Sequence, residues 1–130
     1  MFKAHVEIYT ERGVQLSKAR SLMESDEDFC SALALVAVHS GIAFNDALLA
    51  QFDESAFGNE DHNKAADLTE KECRRRSLNH DGLGQLRKLL KAKRRISYSP
   101  ERLTQETSKA LLVAAERFEA WFYRTMRDLK

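Results

Sequence analysis

Proline is nearly absent from this sequence of 130 residues, with Pro100 alone, and glycine is scarce at five. So few chain-breakers exclude a fold of many short strands joined by tight turns and imply long regular elements. Two cysteines, Cys30 and Cys73, fall inside helical patterns and make no disulfide framework. Neither they nor His5, His39, His62 and His80 stand at CxxC, HxxxH or HExxH spacing, so no metal site is expected. Asp61 and Asp67 flank His62, which makes one ligand cluster in a loop at best. Gly82-Leu83-Gly84 follows no strand and lacks the third glycine of a dinucleotide loop, and no cofactor is expected. A GxSxG elbow is also missing, which removes an ordinary hydrolase. No apolar run reaches the length of a membrane span, because Gly41, Asn45 and Asp46 interrupt the longest one. The opening MFKAHVEIYTERG has no secretory core. These absences predict one domain over residues 1–130, in a reducing cytoplasm, with no membrane partner.

What the sequence does have is helix. The stretch from Asp28 to Phe52, DFCSALALVAVHSGIAFNDALLAQF, organises the rest. Asp46 is its only Asp, Glu, Lys or Arg between the aspartates at 28 and 53. From Ala32 to Val38 it is apolar on all sides, which predicts a helix surrounded by other helices. Ser25, with Asp28 three residues on, resembles a capping box for its start. Before it, residues 3–23 place Tyr9, Leu16, Ala19, Leu22 and Met23 at helical spacing, with Gly13 weakening the middle. After it, DESAFGNEDHN reads as loop. A polar third helix spans about 62–77 and breaks at Asn79-His80-Asp81-Gly82. The fourth, GLGQLRKLLKAKRRI, turns Leu83, Leu86, Leu89 and Leu90 inward and Arg87, Lys88, Lys91, Arg94 and Arg95 outward. Pro100 stops it, Thr104 caps the fifth, and Leu111, Ala115, Phe118, Phe122 and Met126 form the inner face of that last helix. The prediction is an all-α, up-and-down antiparallel bundle of four to five helices.

Net charge is only +1, yet it is segregated. Residues 21–70 carry eleven acids against Lys64 alone, and residues 71–102 carry eleven bases against three acids. That polarity fits self-association, an acidic partner or a nucleic acid; two solvated helix faces fit it equally. Two constellations follow. His39 and Asp46 lie seven residues apart on one side of the central helix, with Asn45 beside them, and line either a pocket or an interface. The simpler alternative is a set of satisfied interhelix hydrogen bonds. Lys91-Ala92-Lys93-Arg94-Arg95, followed by Tyr98, puts four cations and an aromatic at a helix end, which suits phosphates of RNA or a nucleotide. The helix dipole alone would also favour cations there.

The central ALALVAVHSGIAFNDALLA (32–50), DHNKAADL (61–68) and LLKAKRRISYSPERLTQETSKALLVAAERFEAW (89–121) together resemble the small HEPN-domain proteins of prokaryotes, over about residues 25–125. The resemblance implies a helical bundle, commonly a homodimer, often paired with a minimal nucleotidyltransferase as toxin and antitoxin. Active members are metal-independent RNases with an Arg-x4–6-His motif just before the last helix. Here Arg94 and Arg95 stand where that arginine would, but Tyr98 and Ser99 follow and no histidine occurs after His80. Arg75-Arg-Ser-Leu-Asn-His80 satisfies the spacing one helix too early. A tyrosine of ordinary pKa, near 10, is a poor base at neutral pH. The expectation is therefore a non-catalytic binding module that uses Lys91, Arg94, Arg95 and Tyr98 for phosphate. A metal-independent RNA endonuclease using Arg75 and His80 is the alternative, and a purely structural subunit is the second.

Overall fold

The computed structural model describes residues 2–55, 57–58 and 60–129. Five helices run in order: α1 Lys3–Met23, α2 Cys30–Gln51, α3 His62–Arg75, α4 Gly82–Tyr98 and α5 Gln105–Asp128. No strand occurs among the described residues. Each helix packs on the next in sequence, and α2 touches all four others, so this is an all-α bundle built around its second helix.

The start of α2 differs from expectation. Asp26, not Ser25, does the capping: its side chain accepts from the Asp28 N–H at 2.9 Å and launches a 3-10 turn, Glu27–Phe29, ahead of the helix. Aspartate two residues before a free N–H makes the same local bond a capping serine would, and here it wins. The first half of α2 is also not enclosed on all sides. Ala34, Ala37 and Val38 are buried, but Ala32 is exposed and Leu35 is 37% exposed. With α1, α4 and α5 on its other sides, one flank of this helix keeps apolar residues at the surface. Composition concealed a second point: the segment Glu27–Gln51 is long and apolar enough to cross a membrane by length and composition. Gly41, Asn45 and Asp46 do not break that run; 78% of its most apolar window is buried within the bundle.

The core is where the helical periodicity put it. Leu83, Leu86, Leu89 and Leu90 of α4 and Leu111, Ala115, Phe118 and Phe122 of α5 are buried. They meet Phe44, Ala47 and Leu48 in one half of the bundle, and Ala34, Ala37 and Val38 in the other. Met126 only packs against its edge, and Leu22 is 83% exposed, because at this end of α1 it is Arg20 that takes the buried side, paired with Glu119 of α5. Gly13 marks the closest approach of α1 rather than a weakness, since a Cβ there would sit 2.6 Å from the Phe44 ring. Gly41 does the same for α4, with Leu89 2.8 Å from the place of a Cβ. Thr104 caps α5 as expected, accepting from the Thr107 N–H at 3.1 Å. Helix α4 runs to Tyr98, and Ser99 turns extended as the residue before a proline prefers.

Candidate functional site

Two recesses, one between α1 and α2 and one between α3 and α4, lie on either side of a tight contact that shares residues with each. The first, about 440 Å³, lies between α1 and α2 and is lined by Tyr9, Arg12, Leu16, His39, Ile42 and Asp46, among others. A tight contact with no room for a water molecule shares Ile42 and Asp46 with it and adds His62 and Leu90. The second recess, about 240 Å³, shares His62 and Leu90 with that contact and is completed by Lys93, Arg94, Tyr98, Glu60 and Asp61. The helical rise explains its composition. Positions 90, 93, 94 and 98 recur at three and four residues, so Leu90 anchors the face on which Lys93, Arg94 and Tyr98 stand.

The predicted residues divide accordingly. Arg94 and Tyr98 line the second recess, Tyr98 being 80% exposed at its rim. Arg95 turns away and pairs with Glu101 at 3.2 Å. Lys91 is exposed and outside that recess. His39 and Asp46 do share a recess, as their seven-residue spacing predicts. Asn45 is mainly structural: its carbonyl accepts from the buried Thr69 hydroxyl at 2.7 Å, which ties α2 to α3. Arg75 holds Glu72 at 2.7 Å, and neither it nor His80 lines either recess. Part of the charge segregation is consumed within the fold, where Arg87 of α4 meets Asp67 of α3 at 2.7 Å. Sequence reasoning singled out neither Lys93 nor His62 for this site. Lys93 lay inside the basic run, three residues after an inward leucine, and that offset was the signal. His62 is brought in by the chain reversal after α2, which no local pattern encodes.

The electrostatics of the two recesses are unusual at three groups. Burial pushes the Asp46 carboxyl up to about 6; the bond from the Gly58 N–H and the charge of Arg12 pull the other way. That bond is 3.0 Å long, and it depends on Gly58 standing at φ +74, where a Cβ would lie 2.8 Å from the Tyr9 hydroxyl oxygen. Phe57 pins the same turn to α1 by packing on the rings of Phe2, His5 and Tyr9. Ala56 and Asn59, also in the stretch read as loop, lie outside the described residues. His39 is held below its ordinary pKa by burial of part of its ring and then by the Lys93 charge. His62 is lowered by burial, by Lys93 and by His39, against the opposing charges of Asp61 and Glu60. Two imidazoles from different helices thus feel one ammonium, and both stay neutral at physiological pH.

Two cations, Lys93 and Arg94, face the second recess, while at the start of α3 the His62 N–H is bonded to the Glu60 carbonyl at 3.1 Å. Glu60 and Asp61 oppose them, although Asp61 also caps α3 by accepting from the Lys64 N–H at 3.1 Å. Among the described residues no group of three or more His, Cys, Asp or Glu side chains is arranged to hold a metal ion. Cys73 is buried against the core, and burial followed by the Glu72 charge pushes its thiol up to about 11, which makes it an inert packing residue.

The sequence matches no family model and no curated protein.

Proposed function

We propose that this chain is a HEPN-like, non-catalytic binding module that holds the phosphate of a nucleotide or RNA strand at the C-terminal end of α4. One observation carries the reading: Lys93, Arg94 and Tyr98 meet His62 and the start of α3 in a single recess. Guanidinium and ammonium donors suit a phosphate, and Tyr98 offers an exposed ring for stacking. The basic helix end just before the last helix also agrees with the resemblance of residues 89–121 to HEPN proteins. In keeping with that resemblance the module works as a homodimer beside a nucleotidyltransferase-like protein, in the cytoplasm. The apolar flank of α2, with Leu35 and the neighbouring Phe29 partly exposed, is the surface a second copy would cover.

The test is fluorescence anisotropy of labelled single-stranded RNA across a salt series, with light scattering to count subunits. Binding should weaken steeply with salt, and Lys93→Ala and Arg94→Ala should each lower the slope by about one. Binding that ignores salt, or is unchanged in both variants, would refute the reading. Arg95→Ala is the matched control, because Arg95 is spent on Glu101.

The neutral pair His39 and His62 on either side of Lys93 supports a second reading, metal-independent RNA cleavage. One neutral imidazole would take the proton of a ribose 2′-hydroxyl as that oxygen attacks phosphorus, the 5′-oxygen would leave with a proton from water, and Lys93 would balance the phosphorane charge. Incubation with RNA in the presence of a chelator decides it. Cleavage lost in His39→Ala or in His62→Ala supports an RNase, and intact RNA eliminates one.

A further inference from the structure

The first recess is the least explained part of the molecule. Asp46 is 6% exposed, the only Asp or Glu in the interior of an otherwise apolar helix, and it faces a recess large enough for a purine ring. The fold uses it to accept the Gly58 N–H, a bond an asparagine would keep without a charge to desolvate. The walls are flat or apolar. Leu16 and Ile42 supply aliphatic surface, and Tyr9 carries the Arg12 guanidinium over its ring at 5.2 Å. Ile42, Asp46 and His62 separate it from the recess of Lys93 and Arg94 by a contact too tight for a water molecule, so a ligand reaching both would pass over that contact at the surface. A phosphate site and a carboxylate-floored, plate-lined recess are therefore neighbours on either side of that contact.

We infer that the recess between α1 and α2 reads a guanine ring, with Asp46 accepting from the N1–H and the exocyclic 2-amino group of that base. This rests on the phosphate-binding reading, since the base would be joined through its ribose to a phosphate at Lys93 and Arg94. The chemistry selects guanine over the other bases. An ionised carboxylate only accepts, and its two oxygens match two parallel donors. Guanine alone presents adjacent N–H and NH2 donors on its Watson–Crick edge. Adenine turns a ring-nitrogen acceptor toward the same carboxylate and is repelled, and uracil offers a single donor between two acceptors. A buried carboxylate makes this discrimination stronger than a surface one, because a wrong base leaves it desolvated and unpaired. Arg12 and Tyr9 then form the plate over which the ring lies. Gly58 is part of the same device: its N–H fixes one carboxylate oxygen at 3.0 Å and so sets the plane of Asp46.

The experiment is calorimetric titration of the full chain at pH 8 with 5′-GMP, 5′-AMP, 5′-IMP and ribose 5-phosphate. The RNA pentamers UUGUU and UUAUU are run beside them. GMP should bind roughly tenfold or more tighter than AMP, with IMP, which lacks the 2-amino group, in between. Asp46→Asn should erase that preference, because its amide presents a donor to donors, while leaving ribose 5-phosphate affinity intact. Arg94→Ala should weaken all ligands by a similar factor. A preference shown by the pentamers but absent among mononucleotides assigns the guanine to an RNA strand, and the reverse assigns it to a free nucleotide. Equal binding of GMP, AMP and ribose 5-phosphate overturns the guanine inference and leaves the phosphate site standing. No binding of any ligand overturns both.

Discussion

Asp46→Asn should make this protein more stable, and the gain should depend on pH. In the fold the carboxyl is pushed from 3.8 to about 6, with burial the largest cause. The sign follows from linkage: a group whose folded pKa is raised contributes stability below its unfolded pKa and forfeits it as pH climbs through the folded value. Asp46 is therefore harmless near pH 4 and costly at pH 8. A shift of about two units corresponds to roughly 3 kcal/mol at about 1.36 kcal/mol per unit. Asparagine keeps an oxygen for the Gly58 N–H and removes the charge, so most of that cost should be recovered at high pH. The groups around Asp46 are the Arg12 guanidinium on α1, His39 on its own helix and His62 on α3. Arg12 already opposes the shift, and burial outweighs it. Urea unfolding of both proteins at unit steps from pH 4 to pH 8 gives the difference directly. It should be near zero at pH 4, open between pH 5 and 7, and level at about 2–3 kcal/mol by pH 8. The histidines titrate in both proteins and cancel to first order. A variant less stable than the parent at pH 8, or a difference that does not move with pH, would mean that Arg12 outweighs burial and that Asp46 is an ordinary ion-pair partner.

Other perturbations follow from the same contacts. Gly58→Ala must hold alanine at φ +74 and push the Tyr9 hydroxyl aside, so it should cost about 1–2 kcal/mol in urea unfolding. It should also raise the Asp46 pKa further in an NMR titration, because the bond from the Gly58 N–H is one of the two influences lowering it. Arg20 is buried, paired with Glu119 and bonded to Ser17, with Nε and Nη1 lacking partners. Arg20→Ala should cost about 3–5 kcal/mol, whereas the double change Arg20→Met with Glu119→Gln should cost far less, since an incompletely satisfied buried pair is a weak stabiliser. Glu60→Gln should tighten phosphate binding severalfold at low salt by removing one of two acids facing Lys93 and Arg94, and an unchanged affinity would place the anion elsewhere.

The fold was largely legible because each of its rules is local. The inward leucines at 83, 86, 89 and 90, the Thr104 cap and the stop before Pro100 are each encoded within one turn of helix, and all three are in place. Misreadings arose where two local rules competed or where a neighbour decided. Ser25 and Asp26 both stood at the entrance to α2, and Asp26 reached the free N–H. Leu22 carries a core residue's identity on the side of α1 opposite the buried Arg20. Gly13 reads as a helix breaker until the Phe44 ring is seen against it.

The candidate site was only half legible, for a related reason. Its α4 component, Arg94 and Tyr98, shows as a basic run, and its α2 component, His39 and Asp46, shows as a polar interruption in an apolar helix. What joins them is His62, delivered by a chain reversal of about ten residues whose length and sequence carry no periodic signal. The same reversal brings Gly58 onto Asp46 and Phe57 onto α1, so one irregular segment fixes the carboxylate and links the two recesses. A bundle gains nothing in stability from a charge raised to about 6 at its second helix, nor from two histidines crowded by one lysine. Such costs lie together on one side of the molecule while the rest of the helices obey their local rules, and that is the argument for placing the proposed binding site there. Arg75 and His80 show the converse. Their spacing fits a motif, and Arg75 is exposed and paired with Glu72, apart from the two recesses.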